Sequence, residues 1–128
     1  SAGGNLHEIK AMTAEQNMTP LQIEQWYKTG IQQIPLAMAE LSVPVIAAVN
    51  GHAIGAGNDI TTMCDMRIAG EDAIFAESFL RVGIIPGDGG AWLLPRIIGQ
   101  ARANVIHRRI YRCGKSVGLW LGVGSGGQ

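Results

Sequence analysis

Residues 43–59, Val-Pro-Val-Ile-Ala-Ala-Val-Asn-Gly-His-Ala-Ile-Gly-Ala-Gly-Asn-Asp, decide the fold. The apolar run Val43–Val49 is rich in β-branched residues, which predicts a strand buried on both faces, as in a parallel sheet. The small residues at 55–57 predict a tight turn, and Asn58 or Asp59 then caps the following helix. Such a strand, turn and helix leave backbone N–H groups unobstructed at the helix N-terminus, where they can bind an anion or a developing oxyanion.

The rest of the chain alternates predicted helices with predicted strands, which indicates an α/β fold with mostly parallel strands. Thr19-Pro20 predicts a helix start, and Pro35 is expected to interrupt that helix because proline lacks an N–H. The remaining predicted elements are helical turns at 6–12 and 36–41, a helix ending near Cys64, strands at 66–69 and 73–76, a glycine-rich loop at 83–90, and a helix at 91–98 closed by Gly99.

The composition is typical of one globular domain: 128 residues, 47% hydrophobic and 16% charged, with a formal net charge of zero. This neutral balance does not indicate nucleic-acid binding or attachment to an acidic membrane surface. The sequence has no apolar run of the roughly 20 residues that a membrane span needs, and no signal peptide. Its two cysteines lack a metal-binding spacing and suit a reducing compartment, so we expect a cytoplasmic protein without a metal site.

Taken alone, the turn Gly55-Ala-Gly57 has a second interpretation. Such glycines often serve only tight turns and close helix–strand packing, and the full Gly-x-Gly-x-x-Gly pattern of dinucleotide-binding turns is missing. The order of the motifs along the chain is more informative. Ser-Ala-Gly-Gly-Asn-Leu at 1–6 comes first, then residues 43–57, then Met-Cys-Asp-Met-Arg-Ile-Ala at 63–69, then Phe-Ala-Glu at 75–77, and last Val-Gly-Ile-Ile-Pro-Gly-Asp-Gly-Gly-Ala-Trp-Leu-Leu-Pro-Arg-Ile-Ile-Gly at 82–99.

In this order and spacing, the motifs resemble the crotonase superfamily of enoyl-CoA hydratases and isomerases over residues 1–104. The resemblance implies a partial crotonase-like (ClpP/crotonase) α/β fold, without the family's first strands and its C-terminal helices. It implies acyl-CoA as the binding partner, with the coenzyme A thioester as substrate and no separate cofactor. It also leads us to expect a homo-oligomer.

The resemblance places an oxyanion hole at the backbone N–H groups of Ala2 and Ala56, which would hold the thioester carbonyl oxygen. Such donors stabilise the charge that develops in an enolate, and removing one typically costs about 3–4 kcal/mol. The small side chains at both positions let a thioester approach. The neighbouring glycines are the implied substrate-binding positions: Gly3, Gly4, Gly55 and Gly57.

Three carboxylates are candidates for acid–base catalysis. By resemblance, Asp59 takes the place of the family's first acid, although it is one methylene shorter than the usual Glu and has helix capping as an alternative role. The second acid of the hydratases falls on Phe79, which cannot transfer a proton. Glu77, predicted on the same face of an extended strand, is either a substitute or a structural side chain. Asp88 is the third candidate, because some isomerases of the family place an acid in this loop.

Several other residues are assigned local roles. His52 is predicted to pack, uncharged, beneath the glycine turn, and Cys64 is predicted to be a small core residue. Asp65 is expected to anchor the junction between helix and strand. Trp26 and Tyr27 belong to an apolar stripe in the core or at an interface.

The residues after 104 depart from the family. Residues 105–128 form a basic, glycine-rich tail, whereas the family continues with a Phe-Thr-Gly-Glu segment and further helices. If each codon from Ile106 is read one nucleotide later, suitable synonymous codons give family-like text. We therefore expect a partial crotonase core at 1–104 and a tail at 105–128 that arose by a frameshift near Asn104–Ile106, which sequencing of the encoding DNA tests.

Three functions stay open on the sequence alone. The leading hypothesis is an acyl-CoA hydratase/isomerase core that stabilises a thioester enolate through two backbone amides and an Asp acid/base. Because Phe79 removes one carboxylate, isomerase- or lyase-type proton transfer is favoured over hydration. The alternatives are an inactive fragment that retains part of a coenzyme A surface, and a remnant that only oligomerises through exposed strand edges.

Overall fold

The computed structural model describes residues 1–14, 17–106, 110–112 and 119–120 of the chain. Helices and strands alternate through the middle of the sequence, as the predicted α/β class requires. The helices are α1 (Leu6–Ala14), α2 (Pro20–Thr29), α3 (Gln33–Ala39), α4 (Ala56–Met63), α5 (Phe79–Val82), α6 (Gly90–Ile98) and α7 (Gln100–Ile106). The strands are β1 (Ile46–Val49), β2 (His52–Ile54), β3 (Met66–Ala69), β4 (Ile74–Ala76), β5 (Tyr111–Arg112) and β6 (Leu119–Trp120).

The described strands form two three-stranded sheets, in the orders β1-β3-β6 and β2-β4-β5. In each sheet, the two strands from the middle of the chain pair in parallel. Ile46 lies opposite Met66 in one sheet, and His52 lies opposite Ile74 in the other. The short strands β5 and β6 add antiparallel edges. A parallel pair needs a crossover, and α4 supplies it between β1 and β3.

The first residue of the chain extends the second sheet. The N-terminal ammonium of Ser1 donates to the His52 carbonyl oxygen at 2.5 Å, and the Ile54 N–H donates to the Ser1 carbonyl oxygen at 3.0 Å. This alternation is the bonding pattern of a parallel strand pair. It fixes Ala2 beside the end of β2, where the turn into α4 begins.

The break between α2 and α3 is not at the predicted position. The start of α2 is confirmed: Thr19, the residue before Pro20, is the N-cap and forms a capping box with Gln22. The helix ends at Gly30, however, and Pro35 lies inside α3. Proline is tolerated there because the N–H groups of a helix's first turn have no intrahelical acceptor to lose.

The expectation that residues 43–49 form a strand buried on both faces is wrong. The strand begins at Ile46, and its residues alternate between exposed and half-buried. Ile46 itself is 52% exposed. An unbroken apolar run indicates two covered faces only if the chain supplies both covers, and the described residues leave one face of β1 open.

The core lies where α4 packs against α6 and β2, and where α6 packs against α7. Its largest described cluster joins Leu94, Ile98 and Ala103, with Ile97 beside it. Cys64 is buried, which confirms its predicted role. Asp65 accepts a hydrogen bond from the Val45 N–H at 2.8 Å and so ties the end of α4 to β1, also as predicted.

Arg67 was not singled out by the sequence, yet it completes the C-terminal end of α4. Its buried guanidinium donates to the carbonyl oxygens of Thr61, at 2.6 Å, and Thr62, at 3.1 Å. It also donates to the carbonyl oxygen of Cys64. A cation at a helix C-terminus satisfies the last free carbonyl groups and opposes the helix dipole.

Much of the predicted tail lies outside the described residues, at 107–109, 113–118 and 121–128, and Cys113 lies there too. Helix α7 continues to Ile106 across the predicted boundary. The division at residue 104 and the frameshift stay predictions. Within the described ranges, no helix combines the length and the hydropathy needed to cross a bilayer.

Candidate active site

The turn between β2 and α4 is built to expose backbone N–H groups. Gly55 is buried at the N-cap of α4, with φ 54° and ψ −125°, a conformation that favours glycine. Its N–H donates to the Ala76 carbonyl oxygen at 2.8 Å, which ties the turn to β4. Ala56 is the first residue of α4, and its N–H has no acceptor among the described residues. The helix dipole favours negative charge at this position.

The loop that carries Ala2 is pressed against this turn. Gly3 has φ +92°, and a Cβ built on it would lie 2.9 Å from the Ile54 carbonyl oxygen and 3.7 Å from the Ala56 nitrogen. A Cβ on Gly57 would lie 2.7 Å from the Ser1 carbonyl oxygen. Both glycines therefore permit a close approach that larger residues would block. The Ala2 N–H, like that of Ala56, has no acceptor in the described part of the chain.

One cavity of about 430 Å³ opens at this junction. Ala2 and Ala56 both line it, so the structure brings the two predicted donors to a common space. Of the four predicted substrate-binding glycines, three line the cavity, whereas Gly57 packs against Ser1 instead. Three aromatic residues complete much of the wall: Trp26, Tyr27 and Phe79. Trp26 and Tyr27 meet edge to face, with ring centroids 5.4 Å apart.

The three candidate carboxylates come together behind and beside this cavity. Asp59 is 0% exposed, Glu77 2% and Asp88 3%, and they come from α4, the end of β4 and the loop before α6. Asp88 lines the cavity, whereas Asp59 and Glu77 lie behind its wall. Within the described residues, no three His, Cys, Asp or Glu side chains are arranged to hold a metal ion.

The alternative in which Asp59 or Asn58 caps α4 is wrong, because Gly55 holds the N-cap and no side chain caps it. The Asp59 carboxylate turns instead toward Gly90, the first residue of α6. A Cβ built on Gly90 would lie 1.8 Å from Asp59 Oδ1. Both Asp59 oxygens are buried without a donor among the described residues, as are Glu77 Oε2 and Asp88 Oδ1.

Burial makes Asp59 and Glu77 retain their protons more strongly than free carboxyl groups do. Desolvation, a hydrogen bond with Asp88 and the charge of Glu77 together raise the pKa of Asp59 to about 11, desolvation being the largest cause. Desolvation also raises the pKa of Glu77, whereas hydrogen bonds from Asp59 and Asn58 lower it. A proton on Asp59 supplies the donor that the facing carboxylate oxygens lack. The cluster therefore holds a protonated Asp59 at neutral pH.

Comparison with known proteins places this arrangement in a family. The family model for enoyl-CoA hydratase/isomerase matches residues 1–115. The chain belongs to the enoyl-CoA hydratase/isomerase family. It is 35% identical over 103 residues to a probable mitochondrial enoyl-CoA hydratase of Dictyostelium discoideum, covering 80% of this chain and 34% of that protein. It is 42% identical over 83 residues to the 1,2-epoxyphenylacetyl-CoA isomerase of Escherichia coli, covering 65% of this chain and 30% of that protein.

Solved structures of the family agree with the fold. The enoyl-CoA hydratase/isomerase from Cupriavidus metallidurans CH34 superposes with a TM-score of 0.76 at 34% identity, covering 88% of this chain and 43% of that chain. A putative enoyl-CoA hydratase from Streptomyces coelicolor gives a TM-score of 0.75 at 34% identity, covering 87% of this chain and 40% of that chain. The predicted partial crotonase-like fold is thus confirmed. The chain spans about a third of the length of the curated relatives it matches.

We expected Glu77 and Phe79 to share one face of an extended strand. In this member of the enoyl-CoA hydratase/isomerase family they do not. Strand β4 ends at Ala76, and Phe79 begins α5. The chain turns at Ser78, which sends Glu77 into the carboxylate cluster and leaves the Phe79 ring on the cavity wall. The ring lies 3.9 Å from a Cβ built on Gly55, so it borders the turn between β2 and α4.

Two further residues of the site were underestimated from the sequence. Asn58 Nδ2 donates to Glu77 Oε1 at 2.5 Å, although Asn58 had been considered only as a cap. Gln32 Nε2 donates to the Gly87 carbonyl oxygen at 2.8 Å and holds the glycine-rich loop. No local pattern marks either pair, because the partners are 19 and 55 residues apart. The prediction that His52 packs beneath the turn is wrong: as a β2 residue on the open side of the sheet, its side chain is exposed.

Proposed function

We propose that this chain carries the thioester site of an acyl-CoA hydratase/isomerase and catalyses proton transfer next to the thioester carbonyl. One observation carries the proposal. Ala2 and Ala56, whose N–H groups have no acceptor among the described residues, line the same cavity as the buried Asp88. The relatives named above act on acyl-CoA compounds according to their names, and this supports coenzyme A thioesters as the substrate class.

In the proposed reaction, the thioester carbonyl oxygen accepts hydrogen bonds from both N–H groups. Removing a proton from the adjacent carbon places negative charge on that oxygen, where the two donors and the α4 dipole stabilise it. The donors are already positioned and have no competing acceptor, so little reorganisation is needed. The acid–base group comes from the cluster of Asp59, Glu77 and Asp88. The reaction uses the thioester as substrate and requires no separate cofactor.

The type of reaction follows from which acids reach the cavity. Of the three candidate carboxylates, only Asp88 lines it, and Phe79 presents a ring where the hydratases carry a second acid. Glu8 also lines the cavity, but it is exposed to solvent and accepts a hydrogen bond from Asn5. Hydration needs one group to activate water and another to protonate carbon. A single carboxylate can instead remove a proton and return it elsewhere. We therefore favour isomerase-type proton transfer over hydration.

Proline at position 56 tests the oxyanion hole directly. Ala56 is the first residue of α4, a position where proline fits a helix, and the substitution replaces the N–H donor with the ring Cδ. Ala56→Pro should lower the rate of α-proton exchange of acyl-CoA thioesters in D₂O by roughly 10²–10³-fold. Ala56→Gly retains the donor and serves as the control. An unchanged exchange rate in a folded Ala56→Pro protein would refute the proposed role.

A second candidate is an inactive fragment that retains part of a coenzyme A surface. It is favoured by the position of Asp59 behind the cavity wall. A panel of acyl-CoA thioesters separates the two functions. Saturable binding with exchange supports the enzyme, and saturable binding without exchange supports the fragment. The third possibility, an interaction remnant, predicts neither.

We also propose that the chain associates with copies of itself. Large apolar side chains are exposed at several places among the described residues, and Ile85 is 81% exposed. Contiguous exposed apolar surface favours association. Others in this set are Leu21, Val43, Leu80 and Trp92. Light scattering across a range of concentrations should give a mass above that of one chain, and a constant monomer mass would refute the proposal.

A further inference from the structure

The carboxylate cluster divides into a member that meets the cavity and two members that do not. Asp88 lines the cavity, whereas Asp59 is fully enclosed by Gly90, Glu77 and Asp88. A group that cannot reach the cavity cannot touch a substrate held there. The residue that aligns with the family's first acid is therefore separated from the chemistry by its own neighbours.

The protonation states follow from the donors around each carboxyl group. Asn58 is buried and donates to Glu77 Oε1, and an amide donor favours the ionised form of its acceptor. The charged groups that act on Asp59 are Glu77 and Asp88, both of which disfavour a further negative charge. Tyr27 faces Asp88 from α2 and carries no charge at neutral pH. The proton of the cluster is thus held on Asp59.

A protonated Asp59 has two acceptors within its enclosure, Asp88 Oδ1 and Glu77 Oε2, which otherwise lack donors among the described residues. When Asp59 donates to Asp88, it fixes the orientation of that carboxylate. When Asp88 takes a proton from the substrate, the Asp59 O–H can donate to Glu77 instead. No charge is left without a hydrogen bond in either state.

We infer that Asp88 is the catalytic base of this chain, that Asp59 is a neutral positioning residue acting through Asp88, and that Asn58 supports this assignment through its hydrogen bond to Glu77. The inference rests on the proposed function and deepens it by assigning roles within the cluster. In the reaction, the C–H bond beside the thioester breaks, its proton goes to Asp88, and its electron pair forms the enolate. Asp88 then returns the proton to carbon and is again a carboxylate.

Four variants test the assignment by α-proton exchange in D₂O. Asp88→Asn should lower the exchange rate by about 10²-fold or more. Asp59→Val, which has similar size and no donor, should lower it clearly. Asp59→Asn, whose amide can still donate to Asp88, should recover most of that loss. If Asp59→Asn loses as much activity as Asp88→Asn, then Asp59 itself transfers the proton and the inference is wrong.

Asn58→Ala tests the role of Asn58 through the pH dependence of the exchange rate, which should not change if Asn58 only supports the fold. Without the amide donor, Glu77 competes for the proton, so the acidic limb of the exchange rate against pH should shift to higher pH. An unshifted acidic limb with a uniformly lower rate would contradict the positioning role of Asn58.

Infrared spectroscopy tests the protonation of Asp59 directly and does not require the chain to be catalytically active. At neutral pH, the wild-type chain should show the C=O band of a protonated carboxylic acid, Asp59→Asn should lose it and Asp88→Asn should keep it. A band absent from the wild type, or retained in Asp59→Asn, overturns the inference. Absence of exchange in the wild type with the expected infrared pattern would refute the proposed function alone.

Discussion

The two donor amides of this chain are held in different ways. Ala56 belongs to a continuous strand, turn and helix, and its position follows from Gly55 and the start of α4. Ala2 belongs to a loop whose position depends on two hydrogen bonds between Ser1 and β2, a contact that spans 51 residues of sequence. One half of the proposed oxyanion hole is thus a local structure, and the other exists only when distant parts of the chain are packed together.

The buried carboxylates are connected to Ala56 through helix α4, and not to the loop that carries Ala2. Helix α4 carries Ala56 at its first position and Asp59 three residues later, and α6 packs against it through Gly90. The Ala2 loop contributes no member to the cluster. A perturbation of the cluster should therefore act on the Ala56 side first, and a perturbation of Ser1 should act on the Ala2 side alone.

The largest expected effect is a loss of stability as the pH rises. The folded chain keeps the Asp59 proton up to a pKa of about 11, whereas the unfolded chain loses it above the ordinary aspartate pKa of 3.8. The Asp59 proton therefore contributes fully to the free energy of unfolding below pH 3.8. This contribution declines as the pH rises from 3.8 to about 11. The slope is up to about 1.4 kcal/mol per pH unit, or roughly 4 kcal/mol between pH 5 and pH 8.

Denaturant unfolding at several pH values measures this slope, with Asp59→Asn as the matched variant. The amide does not titrate, so the slope should become much smaller, and the variant should be more stable than the wild type at pH 8. Glu77, whose pKa is also raised, accounts for any slope that remains. A wild-type chain that is equally stable at pH 5 and pH 8 would exclude a protonated Asp59.

Residues 43–59 show how far the sequence alone could predict this molecule. The turn and the helix start near Ala56 were predictable because they depend on a few neighbouring residues. The capping box at Thr19 and the end of α6 at Gly99 were predictable for the same reason. The exposed face of β1 was not, because the composition of a strand does not show which elements are present to cover it.

The candidate site divides in the same way. The two donor positions and the three acids were named from motif order, and the structure brings all five to one region. That Asp59 would be enclosed and Asp88 would face the cavity could not be predicted, because it depends on Gly90 and on the loop before α6. The Asn58–Glu77 hydrogen bond likewise joins residues whose proximity is set by tertiary packing.

The second largest effect concerns the packing of α6 on α4. Gly90→Ala would place a methyl group 1.8 Å from Asp59 Oδ1, a separation that no rotation of the alanine can relieve. Glycine to alanine at the start of a helix is ordinarily neutral or favourable. Here overpacking should cost about 1–3 kcal/mol of unfolding free energy. Thermal or denaturant unfolding measures the loss, and unchanged stability would show that Asp59 does not lie against α6.

The smallest expected effect isolates the Ala2 side. Gly57→Ala would place a methyl group 2.7 Å from the Ser1 carbonyl oxygen and 2.8 Å from the Ser1 Cβ, so Ser1 should leave β2. Ala2 would then lose its position while α4, in which alanine is a good helix former, stays intact. Gly51→Ala is the matched control, because a Cβ there meets nothing within 4 Å. We expect weaker acyl-CoA binding and slower exchange in Gly57→Ala alone, with little change in stability. A large loss of stability would instead mean that the Ser1 contacts support the whole fold, and the two halves of the oxyanion hole would not be separable.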